Sequence, residues 1–216
     1  MKFLSLVLAC ASLISTISTA PIVPFKNKTA AECNWNNIKY RKVDKEATIH
    51  AKQIWDFLVD KIGNENGAAG LIGNLYAQSR LIPSDLELIY ERSLGLNSKQ
   101  YTKAVNNGSY KEFDSDRAGY GLAHWNTKYQ KKRLLEYAQD SEKSISDLNM
   151  QLEFLWKEIN EDYKKVAHIL QDKNVSIQEA SNAVVLNYKT PLDRSQYVLT
   201  KRSNYGKMFK DACGTQ

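Results

Sequence analysis

The segment Gly73–Ser79 reads Gly-Asn-Leu-Tyr-Ala-Gln-Ser and completes a helical stretch that is rich in glycine and alanine. A second segment, Ala118–Trp125, reads Ala-Gly-Tyr-Gly-Leu-Ala-His-Trp, with glycines that give the backbone freedom to turn. Small side chains let a helix pack closely against its neighbours. We therefore predict that the first segment ends an inner helix at the polar residue Gln78. The second segment is predicted to be a turn that shares one cleft with it.

Apolar residues recur at helical spacing on both sides of these two segments. An N-cap at Asp44 precedes the first such run, and Pro191 closes the one before the last. The predicted helices cover residues 45–62, 68–79, 98–105, 127–138, 146–159, 163–170, 176–188 and 195–209. No alternating run is long enough to predict a strand. The fold class expected from this pattern is all-α, a single compact helical domain over residues 44–212.

Composition limits the class of function. A chain of 216 residues with 43% hydrophobic residues can bury a substantial core and does not resemble a disordered protein. Its formal charge of +6 favours attraction to anionic surfaces such as bacterial walls. The lysines are scattered and no RNA-binding aromatic signature is present, so we expect no nucleic-acid partner.

The first twenty residues have the pattern of a signal peptide. Lys2 provides the positive charge, residues 3–17 are largely apolar, and Ser18–Ala20 offers small residues for cleavage. The apolar stretch is short for a membrane-spanning helix. We expect residues 1–20 to be a signal peptide and residues 21–43 an N-terminal arm. The mature protein is predicted to be a secreted, extracellular monomer without stable membrane association.

Two cysteines, Cys33 and Cys213, remain at opposite ends of the mature chain. In an oxidising compartment they would form one disulfide between the arm and the C-terminal tail. The alternative is a catalytic thiol at Cys33 with His50 or His124, although no nucleophile motif surrounds Cys33. His50 and His168 lack a partner at metal-ligand spacing, and no phosphate or dinucleotide motif is present. We therefore expect no metal and no cofactor.

Taken together, the two opening segments resemble the active-site framework of the lysozyme domains found on phage tails. Residues 54–58, 90–95 and 149–158 are similar to further elements of that family, so the resemblance runs from about residue 50 to residue 209. It implies a compact, mainly helical fold of the α+β lysozyme-like superfamily. It also implies bacterial peptidoglycan as the substrate and hydrolysis of the glycan strand as the reaction.

The resemblance also implies a catalytic role for the position of Gln78. The family's segment ends in Tyr-Ala-Glu-Ser, and its glutamic acid protonates the glycosidic oxygen, whereas this chain has an amide there. An amide can donate a hydrogen bond but cannot release a proton at any relevant pH. Two hypotheses follow: a muramidase-like hydrolase that uses a relocated acid, or a pseudoenzyme that binds glycan without cleaving it.

His124 is one candidate for the relocated acid. The family's turn ends in Gly-Leu-Ala-Gln-Trp, and this chain places a histidine, which titrates near neutral pH, where the family has glutamine. The alternative is a histidine that hydrogen-bonds a neighbouring carbonyl. Asp116 is the preferred auxiliary carboxylate, to activate water or bind sugar hydroxyls. Glu87 and Glu91 are further carboxylates, with a solvated face as the simpler interpretation.

The remaining candidate site residues are those expected to bind the substrate. Aromatic rings stack on sugar faces, but they also pack in cores with their polar tips hydrogen-bonded. The predicted substrate-binding residues are Tyr76, Tyr120, Gly121 and Trp125, with core packing as the alternative for the rings.

Overall fold

The computed structural model describes residues 33–34 and 45–214, and within them the fold is mainly helical. The predicted signal peptide and nearly all of the predicted arm lie outside these residues. The helices are α1 (Lys45–Ile62), α2 (Glu65–Ser79), α3 (Leu88–Leu94), α4 (Ser98–Asn106), α5 (Lys128–Asp140), α6 (Leu148–Asp162), α7 (Lys164–Gln171), α8 (Ile177–Val184) and α9 (Gln196–Cys213). None of the helices described here is both long and apolar enough to cross a bilayer.

Helix α2 is the inner helix of the fold, because it packs against α1, α7, α8 and α9. Its glycines allow backbones to meet. A Cβ atom at Gly73 would lie 2.4 Å from the amide nitrogen of Gly206 in α9, and one at Gly70 would lie 2.5 Å from the Cβ of Ala180 in α8. The small residues of the sequence therefore do bring neighbouring helices into close contact.

Both ends of α2 are fixed by local hydrogen bonds. The side chain of Asn64 accepts a hydrogen bond from the amide of Gly67 at 2.7 Å, so the helix begins at Glu65, ahead of the predicted start at residue 68. At the other end Arg80 adopts the left-handed conformation, with φ at 55°, and its amide donates to the carbonyl of Tyr76. Gln78 therefore lies in the last turn of the helix.

Two further regions differ from the sequence prediction. Residues Leu88–Leu94 form α3, in a region where the sequence analysis predicts no helix. The predicted helix over residues 176–188 is divided into α8 and a π-helical turn, Val185–Lys189. The π turn holds an additional residue per turn, which changes the direction of Tyr188 and Lys189 relative to a continuous α-helix.

A disulfide joins Cys33 to Cys213 at the end of α9, with the two Cα atoms 4.4 Å apart. The amide of Asn34 also donates to the carbonyl of Ala212 at 2.7 Å. The structure thus contains the pairing expected from the sequence, and it anchors a short piece of the arm against the last helix.

Replacing Gly73 with alanine tests the contact between α2 and α9. The new Cβ would overlap rigid backbone atoms of α9, so we expect a loss of about 3 kcal/mol or more in the free energy of unfolding. Urea denaturation followed by circular dichroism measures it. Gly95→Ala is the control: nothing lies within 4 Å of its Cβ position, and its left-handed backbone should cost only about 1 kcal/mol. An equal loss in the free energy of unfolding of the two variants would contradict a close contact between α2 and α9.

Candidate functional site

The end of α2 and the glycine-rich turn lie side by side. The hydroxyl of Ser79, which is 1% exposed, donates a hydrogen bond to the carbonyl of Leu122 at 2.9 Å. Because Ser79 follows Gln78 directly, this bond places residue 78 next to the turn. Residues 73–79 and residues 118–125 therefore belong to one region of the structure.

The turn is a closed loop between Tyr120 and Trp125, whose backbones exchange hydrogen bonds of 3.2 and 3.0 Å. Gly121 has φ at 74°, and a Cβ atom there would lie 2.8 Å from the side-chain amide of Gln151. His124 has φ at 45°, which is unusual for a residue with a side chain. The loop thus holds the backbone of His124 in the left-handed region, which residues with a side chain rarely adopt.

Two connections fix the turn to the rest of the molecule. The buried side chain of Gln151 in α6 accepts a hydrogen bond from the amide of Leu122 at 2.9 Å and donates to the carbonyl of Pro83 at 2.6 Å. The segment after Pro83 runs beside the turn, because the amide of Glu87 donates to the carbonyl of Gly119 at 2.9 Å. The turn is therefore held between α6 and residues 83–87.

Gln78 is partly exposed, and its side chain makes no hydrogen bond with any residue in the described part of the chain. One helical turn earlier, Asn74 is fully buried, donates to the hydroxyl of Ser181 at 3.0 Å and accepts from Arg202 at 3.2 Å. Asn74 is thus part of the packing between helices. Gln78, by contrast, has its amide free for a ligand.

His124 is paired with a carboxylate. Its Nε2 atom lies 2.6 Å from Oδ2 of Asp85, and the two side chains are 13% and 29% exposed. The partner expected in the simpler interpretation of the sequence was a carbonyl. The pairing occupies Nε2, and Nδ1 makes no hydrogen bond with a described residue.

A lysine approaches the turn from the π-helical segment. The ammonium of Lys189 donates to the carbonyl of His124 at 3.4 Å. Burial lowers the pKa of Lys189 to about 8, although the negative charges of Glu158 and Glu87 favour its charged form. The side chain of Lys189 is therefore bonded to the turn at His124, and that of Gln151 at Leu122.

Asp116 lies in a buried ion pair with Lys131 of α5, and their side chains are 4% and 0% exposed. Its carboxylate also accepts hydrogen bonds from the hydroxyls of Tyr101 and Tyr110 and from the amide of Ala118. Burial lowers the pKa of Lys131, and the carboxylate of Asp116 opposes this effect. With its oxygens fully engaged, Asp116 is placed to hold the start of the turn, and its predicted role as a catalytic auxiliary is not supported by this geometry.

Tyr120 and Trp125 are fully buried. The hydroxyl of Tyr120 bonds that of Thr102 at 2.6 Å, and the indole of Trp125 donates to Glu158 at 2.8 Å. Burial raises the pKa of Tyr120. Neither ring offers a face on which a sugar could stack, so the binding role predicted for these two residues is not supported by the geometry. The alternative from the sequence, core packing with hydrogen-bonded polar tips, describes them better.

The other two predicted binding residues are placed differently. Tyr76 is partly buried, and its ring packs edge to face against Tyr205 and Phe209, with centroid distances of 4.9 and 5.3 Å. Gly121 is buried, and it serves the turn through its left-handed backbone and its contact with Gln151. Binding of substrate by Tyr76 and Gly121 stays a prediction.

Comparisons with known proteins identify the family. A family model described as phage tail lysozyme matches residues 50–212. The chain belongs to the phage tail lysozyme family. A comparison with curated proteins found no match. The matched range runs from α1 to α9 and includes both segments of the site, so the resemblance inferred from the sequence is confirmed, as is the helical lysozyme-like fold.

Sequence reasoning missed several residues that build the site of this phage tail lysozyme domain. Lys131 and Gln151 occupy inward positions of their helices, three and four residues before Leu134 and Leu155 respectively. For both, a polar residue at an apolar position of the helical pattern was the signal that could have indicated a buried polar side chain. Asp85 and Lys189 gave no such signal, because each reaches the turn from an irregular segment.

The ion pair of Asp116 can be tested separately from catalysis. Asp116→Asn would leave the ammonium of Lys131 buried without a counter-charge, so we expect a loss of about 3–5 kcal/mol in the free energy of unfolding. Adding Lys131→Met should restore part of the stability, and the exposed Glu112→Gln serves as the control in the same urea titrations. An Asp116→Asn protein that is as stable as the parent but fails to bind glycan would instead indicate direct contact with substrate.

Proposed function

We propose that this protein is secreted and binds the glycan strands of bacterial peptidoglycan at the end of α2, and that it cleaves them slowly or not at all. The observation that carries this proposal is the partly exposed, unbonded side chain of Gln78, the residue before the Ser79 that bonds the turn. Membership of the phage tail lysozyme family supports peptidoglycan as the ligand. The amide at this position argues against efficient hydrolysis.

Hydrolysis of a glycosidic bond requires a proton for the oxygen that leaves. A carboxylic acid at the position of Gln78 could supply it, whereas the amide has nearly the same shape and no proton to release. Loss of general acid assistance lowers a rate by about 10²–10⁴-fold. The amide N–H groups can still donate hydrogen bonds to a glycan oxygen, so binding would be retained.

The proposed location rests on three properties of the chain. The predicted signal peptide would direct it into the secretory route. The disulfide between Cys33 and Cys213 suits an oxidising environment. The formal charge of +6 favours association with anionic cell walls.

The variant Gln78→Glu tests the site directly. A carboxylic acid at the end of α2 is expected to raise the rate of peptidoglycan cleavage by about 10²–10⁴-fold, because it restores general acid assistance. Release of dye-labelled fragments from purified walls measures the rate, and calorimetry with soluble peptidoglycan fragments measures binding by the parent. Gln139→Glu, on the exposed face of α5, controls for the added charge. A parent protein that does not bind these fragments would refute the proposal.

The pairing of His124 with Asp85 favours a second candidate, in which His124 is the proton donor. If so, the parent protein itself lyses walls, and the lysis shows the pH dependence of general acid catalysis. We expect His124→Ala, and His124→Gln with the family's residue, to abolish this lysis and its pH dependence. Lysis rates of parent and variants across pH 5–8 decide the matter, and equal rates would exclude the role.

A further inference from the structure

Glu87 holds a fixed place on the segment that borders the turn. Its amide donates to the carbonyl of Gly119 at 2.9 Å, and its own carbonyl accepts from the amides of Tyr90 and Glu91 at 2.8 and 3.2 Å. The residue is therefore bonded on one side to the turn and on the other to the first turn of α3. Its backbone cannot shift without breaking one of these contacts.

The carboxylate of Glu87 lies against the turn itself. A Cβ atom at Gly119 would be 2.9 Å from Oε2 of Glu87 and 3.1 Å from the Cβ of His124. The absence of a side chain at Gly119 thus leaves the space in which this carboxylate sits beside His124. Nearby, Lys189 bonds the carbonyl of His124, and the charge of Glu87 is among those that favour its protonated form.

Glu87 also differs from the acidic residues whose side chains are bonded at or near the turn. Its side chain is partly exposed and makes no hydrogen bond or ion pair with the residues that the structure describes. The neighbouring carboxylates are engaged: Asp85 with His124, Asp116 with Lys131, Glu91 with Ser98, and Glu158 with Trp125 and Tyr188. Glu87 is therefore the acidic side chain of this group that remains available to a ligand or a water molecule.

Glu87 and the end of α2 both contact the same short turn. Glu87 is bonded to Gly119, and Ser79 to Leu122, three residues farther along the same turn. Three residues span at most about 10 Å, and this turn is folded rather than extended. An inverting glycoside hydrolase needs its base and its acid about 6.5–9.5 Å apart, on opposite faces of one sugar. Two residues that contact one short turn are close enough in the fold for their side chains to act on the same sugar.

We propose that Glu87 is the second catalytic residue of this site, the base that activates water, and that the chain lacks only the acid at position 78. The inference rests on the proposed function. In the Gln78→Glu protein, the introduced acid gives its proton to the glycosidic oxygen as the bond to the anomeric carbon breaks. The water oxygen bonds to that carbon, and Glu87 takes the proton that the water loses. Proton exchange with solvent then returns both carboxyl groups to their starting states.

The test adds Glu87→Gln to the Gln78→Glu protein and measures cleavage of dye-labelled peptidoglycan and binding of soluble fragments. We expect cleavage to fall by about 10²–10⁴-fold and binding to persist. Glu136→Gln, at an exposed position of α5, is the matched control and should leave the rate unchanged. Sodium azide is then added to the Gln78→Glu/Glu87→Ala protein. Azide is already an anion and needs no base, so it should restore part of the turnover and yield a glycosyl azide detectable by mass spectrometry.

The outcomes separate the two proposals. If the Gln78→Glu/Glu87→Gln protein cleaves as fast as Gln78→Glu alone, or if azide rescues nothing, Glu87 is not the base. If Gln78→Glu binds glycan and gains no cleavage, the inference on Glu87 falls and the binding function stands. If the parent protein binds no peptidoglycan fragment, the proposed function itself fails.

Discussion

The site depends on the direct contact between the backbones of α2 and α9, which have no side chain between them at this point. Gly73 and Gly206 let the two backbones approach until a single added carbon would overlap. This approach fixes the axis of α2 and therefore where its last turn ends. The position of Gln78 follows from helix packing, and not from any contact of the Gln78 side chain itself. The chemistry at residue 78 can change while its location stays the same.

Buried polar side chains hold the turn beside α2 in its conformation. Lys131, Gln151 and Glu158 project from α5 and α6, and each bonds a different part of residues 118–125. Buried polar side chains are costly unless their partners are in place, so a group of this kind favours one arrangement over its competitors. Asp116 belongs to the same network. The network is independent of residue 78, which explains how an amide can occupy that place within an otherwise intact framework.

The helices were largely predictable because their apolar spacing and capping residues act locally. The predicted start of α2 at residue 68 is too late, because the side chain of Asn64 caps the helix and lets it begin at Glu65. The π-helical turn at Val185–Lys189 has the same apolar pattern as an α-helix, so spacing alone could not separate the two.

The site was predictable in outline and less so in its chemistry. Recognition of the two segments placed residue 78 beside the turn, because the family's motifs mark both. The burial of Tyr120 and Trp125, and the engagement of Asp116 by Lys131, depend on contacts between residues distant in sequence. No local pattern distinguishes an aromatic ring that stacks on sugar from one that fills a core. The pairing of His124 with Asp85 was inaccessible for the same reason.

The bond between Cys33 and Cys213 has a consequence for resistance to proteolysis. It makes the intervening polypeptide, with a sequence separation of 180 residues, a covalently closed ring. A single proteolytic cut at any exposed connection, such as the segment around Leu192, would open the ring without releasing a fragment. The severed ends would stay tethered and could remain packed in place. The closed chain would thereby tolerate a first cut that would divide an unclosed chain in two.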